Sequence, residues 1–192
     1  ELINYEADDL IATYVEKILD LGAKVTIVSS DKDLMQLYKK GVRIYDPMKN
    51  KFINQDDVHN KFGVTPEKVI DVQSLAGDST DNVPGVPGIG VKTAAELINK
   101  YKNLDTLLKK ASEIKQNKRR ETLISNKDKA LLSKQLVTLK DDVPIKKKPN
   151  EFLIKKINKD KLYNFLREME FNRLLSSAIS AYGEPNLKSI KS

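Results

Sequence analysis

Between Tyr5 and Leu21 the apolar positions fall at Ala7, Leu10, Ile11, Tyr14, Val15, Ile18 and Leu19. That is the three-and-four spacing of one helix face, and Gly22 supplies its stop. Residues 24–28 form a short β-branched run ending in Ser29-Ser30, which predicts a buried strand. A second helix is expected over 33–38, closed near Gly41, then a second strand over 42–45 with Asp46-Pro47 as its turn. Helix, strand, helix, strand at this spacing predicts an α/β sheet with crossover connections.

The texture changes after Gly63. Thr65-Pro66-Glu67 has the form of a helix start, and Val69, Ile70, Val72 and Leu75 follow on helical spacing. Residues 77–90 hold four Gly and two Pro, and a helix resumes over 92–101 with Ala94, Ala95, Leu97 and Ile98 inward. Helices are predicted over 105–114 and 126–133, separated by a basic stretch at 115–120. Residues 135–139 read as a strand returning to the sheet, and 162–175 as a last helix. Lys146-Lys147-Lys148-Pro149 reads as a solvated turn.

Composition narrows the chemistry. The 192 residues include no Cys, and His59 is the only imidazole. Disulfide frameworks, Cys-ligated metals and thiol nucleophiles are excluded, and Ser-His-Asp hydrolysis and multi-histidine sites are poor candidates. No apolar run approaches the roughly 18–20 residues of a membrane helix, so the chain reads as soluble. Any catalysis has to rest on carboxylates. Charge is segregated: residues 1–100 carry 12 basic and 16 acidic side chains, net −4, and residues 101–192 carry 22 and 11, net +11. Such a division suggests metal ions on one side and a polyanion on the other, although a lysine-rich surface without a partner fits charge alone equally well. Lys outnumbers Arg 29 to 5, which favours phosphate contacts over bidentate reading of bases.

Three acidic clusters stand out: Glu6, Asp8 and Asp9; Asp31 and Asp33; Asp78 and Asp81. The first opens a helix, where the dipole tolerates negative charge. The second follows a predicted strand, at the end where open α/β sheets place ligands. The third lies in the Gly-rich stretch. Each cluster alone is equally a set of helix caps or a solvated helix start. Together they would repel one another unless cations held them, and hard oxygen donors suit Mg²⁺ or Mn²⁺. Two such ions about 4 Å apart can activate a water and stabilise the leaving oxygen of a phosphodiester.

The most specific stretch runs Val83-Pro-Gly85-Val-Pro-Gly88-Ile89-Gly90-Val91-Lys92-Thr93-Ala-Ala95. Pro and Gly impose a tight hairpin between two helices. Gly88 and Gly90 leave backbone N–H groups uncovered, with Ile89 as a plug between the helices. The next helix offers its free N–H groups to an anion, with Lys92 as a point charge and Thr93 as a further donor. A hairpin of this kind would hold a nucleic-acid phosphate without reading bases.

The order Tyr5-Glu-Ala-Asp-Asp9, Ser30-Asp-Lys-Asp-Leu34 and Gly77-Asp-Ser-Thr-Asp-Asn-Val-Pro-Gly-Val-Pro-Gly-Ile-Gly-Val-Lys-Thr-Ala94 closely resembles the 5′–3′ exonuclease domain of bacterial DNA polymerase I, in the flap endonuclease superfamily. The resemblance runs from Glu1 to about Gly183. It implies a PIN-like α/β core and a helix–three-turn–helix module that binds duplex DNA. Its metal carboxylates fall on Glu6, Asp8, Asp9, Asp31, Asp33, Asp78 and Asp81, and its DNA contacts on Gly85, Gly88, Ile89, Gly90, Val91, Lys92 and Thr93. Two or more Mg²⁺ or Mn²⁺ ions and a K⁺ ion at the hairpin backbone are the implied cofactors. The implied division is 1–63 for the PIN-like core, 64–115 for the DNA-binding module, 116–183 for C-terminal helices and the return strand, and 184–192 for a tail. The family also places two aspartates and a basic helical arch before the segment matching Glu1. The resemblance therefore implies a C-terminal portion of the nuclease, inactive or weakly active alone, and leaves open a polymerase or a free-standing exonuclease as its parent. The implied function is a cytoplasmic, monomeric, two-metal exonuclease/flap endonuclease acting on duplex DNA with a 5′ flap or primer end. A non-catalytic duplex-binding module and an RNA-cleaving PIN-type nuclease are the alternatives.

Overall fold

The computed structural model describes residues 2–184, so the predicted tail lies, from residue 185 on, outside the described residues. The chain divides into two compact units, residues 1–149 and 150–192.

In the first unit α1 (Ala7–Asp20) leads into β1 (Val25–Val28), which pairs in parallel with β2 (Val42–Asp46), Val25 opposite Val42 and Val28 opposite Tyr45. Parallel pairing needs a crossover, supplied by a 3₁₀ turn at Asp33–Leu37 where the pattern predicted a regular helix. Three of its five residues, Leu34, Met35 and Leu37, are buried in the hydrophobic core, so tertiary packing fixes this short segment. An antiparallel hairpin then adds β3 (Lys51–Ile53), with Asn50 at φ 51° in the turn, and α2 (Gln55–Phe62) follows. Asn54 caps α2, its Oδ1 accepting from Asp57 N–H at 2.9 Å while Asp57 accepts from Asn54 N–H. The order among the described residues is β1-β2-β3.

The expectation of a buried β1 needs correction. Only Ile27 is buried and Val28 is 64% exposed. Among the described residues β1 pairs only with β2, so it is an edge strand.

The rest of the first unit is helical: α3 (Val69–Ala76) after a 3₁₀ turn at Pro66–Lys68, α4 (Val91–Tyr101), α5 (Leu104–Lys109), α6 (Asn117–Ser125) and α7 (Lys127–Val137). Helix α3 is the central post, packed against both α4 and α7, with Val69, Val72 and Leu75 fully buried. The predicted helix over 105–114 is α5 followed by a 3₁₀ turn at Ala111–Glu113. The basic stretch at 115–120 is not a connector; most of it is the start of α6. The predicted strand over 135–139 is also overturned, because α7 runs on to Val137. Ala130, Ser133 and Val137 form one buried helical face against α3, and that packing outweighs the β-branched character of Val137 and Thr138.

In the second unit the single helix predicted over 162–175 is two, α8 (Lys159–Glu168) and α9 (Asn172–Tyr182). Glu170 takes φ 56° and turns the chain, and Phe171 meets Phe165 edge-on at 6.5 Å between ring centroids. The buried Tyr163 donates its hydroxyl to Gly183 O at 2.6 Å, tying the hairpin shut. Among the described residues no helix is long and apolar enough to cross a membrane.

Candidate metal centre and nucleic-acid interface

Past the end of β1 the chain makes two local turns. Asp31 N–H donates to Ser29 Oγ at 3.0 Å, and Asp33 N–H donates to Asp31 Oδ1 at 2.9 Å. The second turn starts the 3₁₀ segment and fixes Asp33 at its first position. Buried Gln73, reaching from α3, donates its Nε2 to Asp33 Oδ1. The same helix delivers the third cluster. Gly77 ends α3, and Asp78 and Val83 exchange both backbone hydrogen bonds, at 3.0 and 2.7 Å, which closes the loop between them. Asp78 Oδ1 also accepts from Thr80 N–H at 2.8 Å. One carboxylate oxygen from each of Asp33, Asp78 and Asp81 then lies within 4.8 Å of the others.

A positive charge already sits among them. Lys32 Nζ is 2.6 Å from Asp78 Oδ2, 3.5 Å from Asp33 Oδ1 and 3.7 Å from Asp81 Oδ2. Burial alone would lower the Lys32 ammonium, but its hydrogen bond to Asp78 and the charges of Asp33, Asp78 and Asp81 together hold it above the ordinary lysine range. In return the hydrogen bond from Lys32 holds Asp78 below the usual carboxylate range.

The first cluster faces the second. Burial raises the Asp8 carboxyl, and the neighbouring charges of Asp31, Asp33, Glu6 and Asp9 raise it further. Asp9 has both oxygens engaged, one accepting from Glu6 N–H at 3.2 Å and the other from Lys140 N–H at 2.9 Å. Glu6 and Asp31 are exposed. Thus the structure gathers Asp33, Asp78 and Asp81 tightly, sets Asp8 within electrostatic reach of Asp31 and Asp33, and gives Asp9 a structural tether. The donor set of the trio fits a hard divalent cation: three carboxylates, no nitrogen or sulfur, at a place where a cation is held.

The Gly/Pro stretch is a hairpin clamped to the helices behind it. Val86 N–H donates to Leu75 O at 2.8 Å, Gly85 N–H donates to Ser133 Oγ of α7 at 2.9 Å, and Ile89 is buried in the core as the expected plug. The glycines divide into two kinds. A Cβ on Gly85, at φ +60°, would stand 2.5 Å from Gly77 N, so close backbone packing requires glycine there. Gly90 has φ −88° and nothing within 4 Å of an added Cβ, so neither conformation nor internal packing requires it. It is the N-cap of α4 and brings no side-chain cap, leaving the first N–H groups of that helix open beside exposed Val91 and Lys92 and half-buried Thr93. A glycine there leaves the helix N-terminus open to the close approach of an anion.

The sequence pattern did not single out Lys32, Gln73 or Ser133. Lys32 could have been found from its place between two aspartates. The other two meet their partners only through tertiary packing, and no local signal marks them.

Residues 1–63 match the family described as 5′-3′ exonuclease, N-terminal resolvase-like domain, and residues 64–160 match 5′-3′ exonuclease, C-terminal SAM fold. The chain is 55% identical over 174 residues to DNA polymerase I of Rhizobium leguminosarum, covering 91% of this chain and 17% of that one. It is 37% identical over 190 residues to a 5′-3′ exonuclease of Aquifex aeolicus, covering 99% of this chain and 64% of the relative. Among solved structures, the T5 5′-exonuclease with bound divalent zinc superposes with a TM-score of 0.67 at 26% identity, over 72% of this chain and 52% of that one. The chain thus spans less than two thirds of each of these proteins.

Proposed function

The chain belongs to the 5′–3′ exonuclease family, and from that premise we propose that it supplies the metal centre and duplex grip of a 5′–3′ exonuclease/flap endonuclease. The observation that carries the proposal is the meeting of Asp33, Asp78 and Asp81 around one cation position, from segments far apart in sequence. In this reading Asp33, Asp78 and Asp81 hold one Mg²⁺ or Mn²⁺ ion, and Glu6, Asp8 and Asp31 serve a second, with Asp9 contributing through the lone pairs its two backbone hydrogen bonds leave free. Such ions supply activation of a water and stabilisation of the leaving oxygen. The protein's own work is positioning: Gln73 and the Asp31 turn hold Asp33, and the Asp78–Val83 bridge holds the other two carboxylates. Gly88, Gly90 and the start of α4 take a phosphate of duplex DNA, with a K⁺ ion at the hairpin backbone as part of the same reading. The substrate is duplex DNA with a 5′ flap or primer end, cut in the cytoplasm during replication and repair to leave a 5′-phosphorylated fragment. Asp33→Asn keeps size and removes one anionic ligand. In the polypeptide that carries this chain it should lower flap cleavage by orders of magnitude while duplex affinity stays near wild type. Near wild-type cleavage by that variant would sink the assignment, and absence of cleavage by both would favour a DNA-binding module without chemistry.

A further inference from the structure

The ammonium of Lys32 and a metal ion bound by the same oxygens cannot share the space. Asp33, Asp78 and Asp81 each offer an oxygen within 4.8 Å of the others, and Lys32 Nζ reaches all three residues, at 3.5, 2.6 and 3.7 Å. A Mg²⁺ ion on these oxygens would sit about 2.0–2.1 Å from each ligand, inside the position the ammonium now fills. We propose that Lys32 is a built-in stand-in for the metal: it neutralises the trio when no divalent ion is bound, must leave when one binds, and so sets the centre's metal affinity. This inference rests on the reading of the trio as a metal site.

The local structure suits that role. Lys32 lies directly before the 3₁₀ turn, in helical backbone geometry, so its side chain is aimed across at the loop that bears Asp78 and Asp81. Its side chain is 33% exposed, so the long stem can swing out without unpacking the core. An adjoining open polar recess, lined by Ser29, Ser30, Asp31 and Lys61 as well as Lys32, gives the displaced side chain room in solvent. The charged groups that face it in the cluster are the three carboxylates, so with Lys32 gone and no metal bound only neutral donors, Gln73 Nε2 on Asp33 and Thr80 N–H on Asp78, would offset their repulsion.

The test uses the 192-residue chain as wild type, Lys32→Met, Lys32→Arg and Asp78→Asn, with Mn²⁺ binding followed by electron paramagnetic resonance and thermal midpoints taken in chelator. Lys32→Met should bind Mn²⁺ about tenfold more tightly, the effect of removing one competing charge from a partly solvated site. It should also melt below wild type in chelator and gain more on adding Mn²⁺, whereas Lys32→Arg should stay near wild type in both measurements. A Lys32→Met chain that folds only with Mn²⁺ supports the proposal. One that is unfolded with and without Mn²⁺ overturns it, as does unchanged or weaker Mn²⁺ affinity. Asp78→Asn separates the two readings. If it loses Mn²⁺ while Lys32→Met gains nothing, only the role of Lys32 fails; if it binds Mn²⁺ as wild type does, or wild type binds none, the metal site fails and the stand-in with it.

Discussion

Gly85 and Gly90 lie in one hairpin, yet their demands come from opposite sides. The space for a Cβ on Gly85 is taken by the backbone of Gly77, whereas that on Gly90 is open. Gly85→Ala should therefore destabilise the fold by about 2–4 kcal/mol, from overpacking and an unfavourable φ, measured by urea unfolding. Gly90→Val should cost less than about 1 kcal/mol of stability. It should instead weaken duplex binding across sequences and reduce the slope of log affinity against log salt by about one unit for the lost phosphate contact. Equal effects of the two changes on unfolding would contradict this division. At this scale much of the candidate site was legible. Paired aspartates after a β-branched run and a Gly/Pro hairpin followed by Lys92 and Thr93 carry their chemistry in short spacings. The grouping was not, because Asp33 meets Asp78 and Asp81 only when α3 packs against the 3₁₀ turn at Asp33–Leu37, and the part played by Lys32 appears only once they meet.

Ser133 joins two elements whose relation no local pattern records. Its buried hydroxyl accepts the Gly85 N–H, fastening the hairpin to α7. Ser133→Ala leaves a buried donor without its acceptor and should cost about 1–3 kcal/mol. Amide hydrogen exchange should show the loss as faster exchange around the hairpin, and unchanged protection there would count against the clamp. The elements that periodicity found, α1, α3 and α4, are those with an apolar face on a regular spacing. It did not find β3, which is three residues long, or the true character of α6, where only Leu123 is buried and the amphipathic signal is correspondingly weak. The strand expected near Val137 failed for the opposite reason: local β propensity was strong, and the buried face of α7 overrode it. The break between α8 and α9 rests on the left-handed turn at Glu170, a residue that does not advertise it.

For the first unit as a whole, acid stability depends on carboxylates away from the site as well as in it. Asp46 is held below its ordinary value of 3.8 by the hydrogen bond from the Lys49 side chain and by backbone donors at Lys49 and Met48. A carboxyl depressed in the folded state adds stability that is fully present above its unfolded value and is lost as pH falls through the folded one. The urea midpoint should therefore drop between about pH 5 and pH 2, and it should drop less steeply in Asp46→Asn, which keeps an acceptor for the backbone donors. Equal slopes would show that Asp46 contributes nothing to the acid limb.

In the proposed function one polypeptide separates chemistry from grip, with the carboxylates doing the first and the hairpin the second. The most direct test is single-turnover cleavage of a 5′-flap duplex in Mg²⁺, with rate measured against enzyme concentration, for Asp33→Asn and Gly90→Val in the polypeptide that carries this chain. A lost phosphate contact weakens association and can be overcome by mass action, whereas a lost ligand lowers the rate on bound substrate. Gly90→Val should approach the wild-type rate once enzyme is in large excess, and Asp33→Asn should saturate at wild-type concentrations yet remain slow at every one. A Gly90→Val rate that stays low at saturation, or an Asp33→Asn rate that reaches wild type, would contradict it.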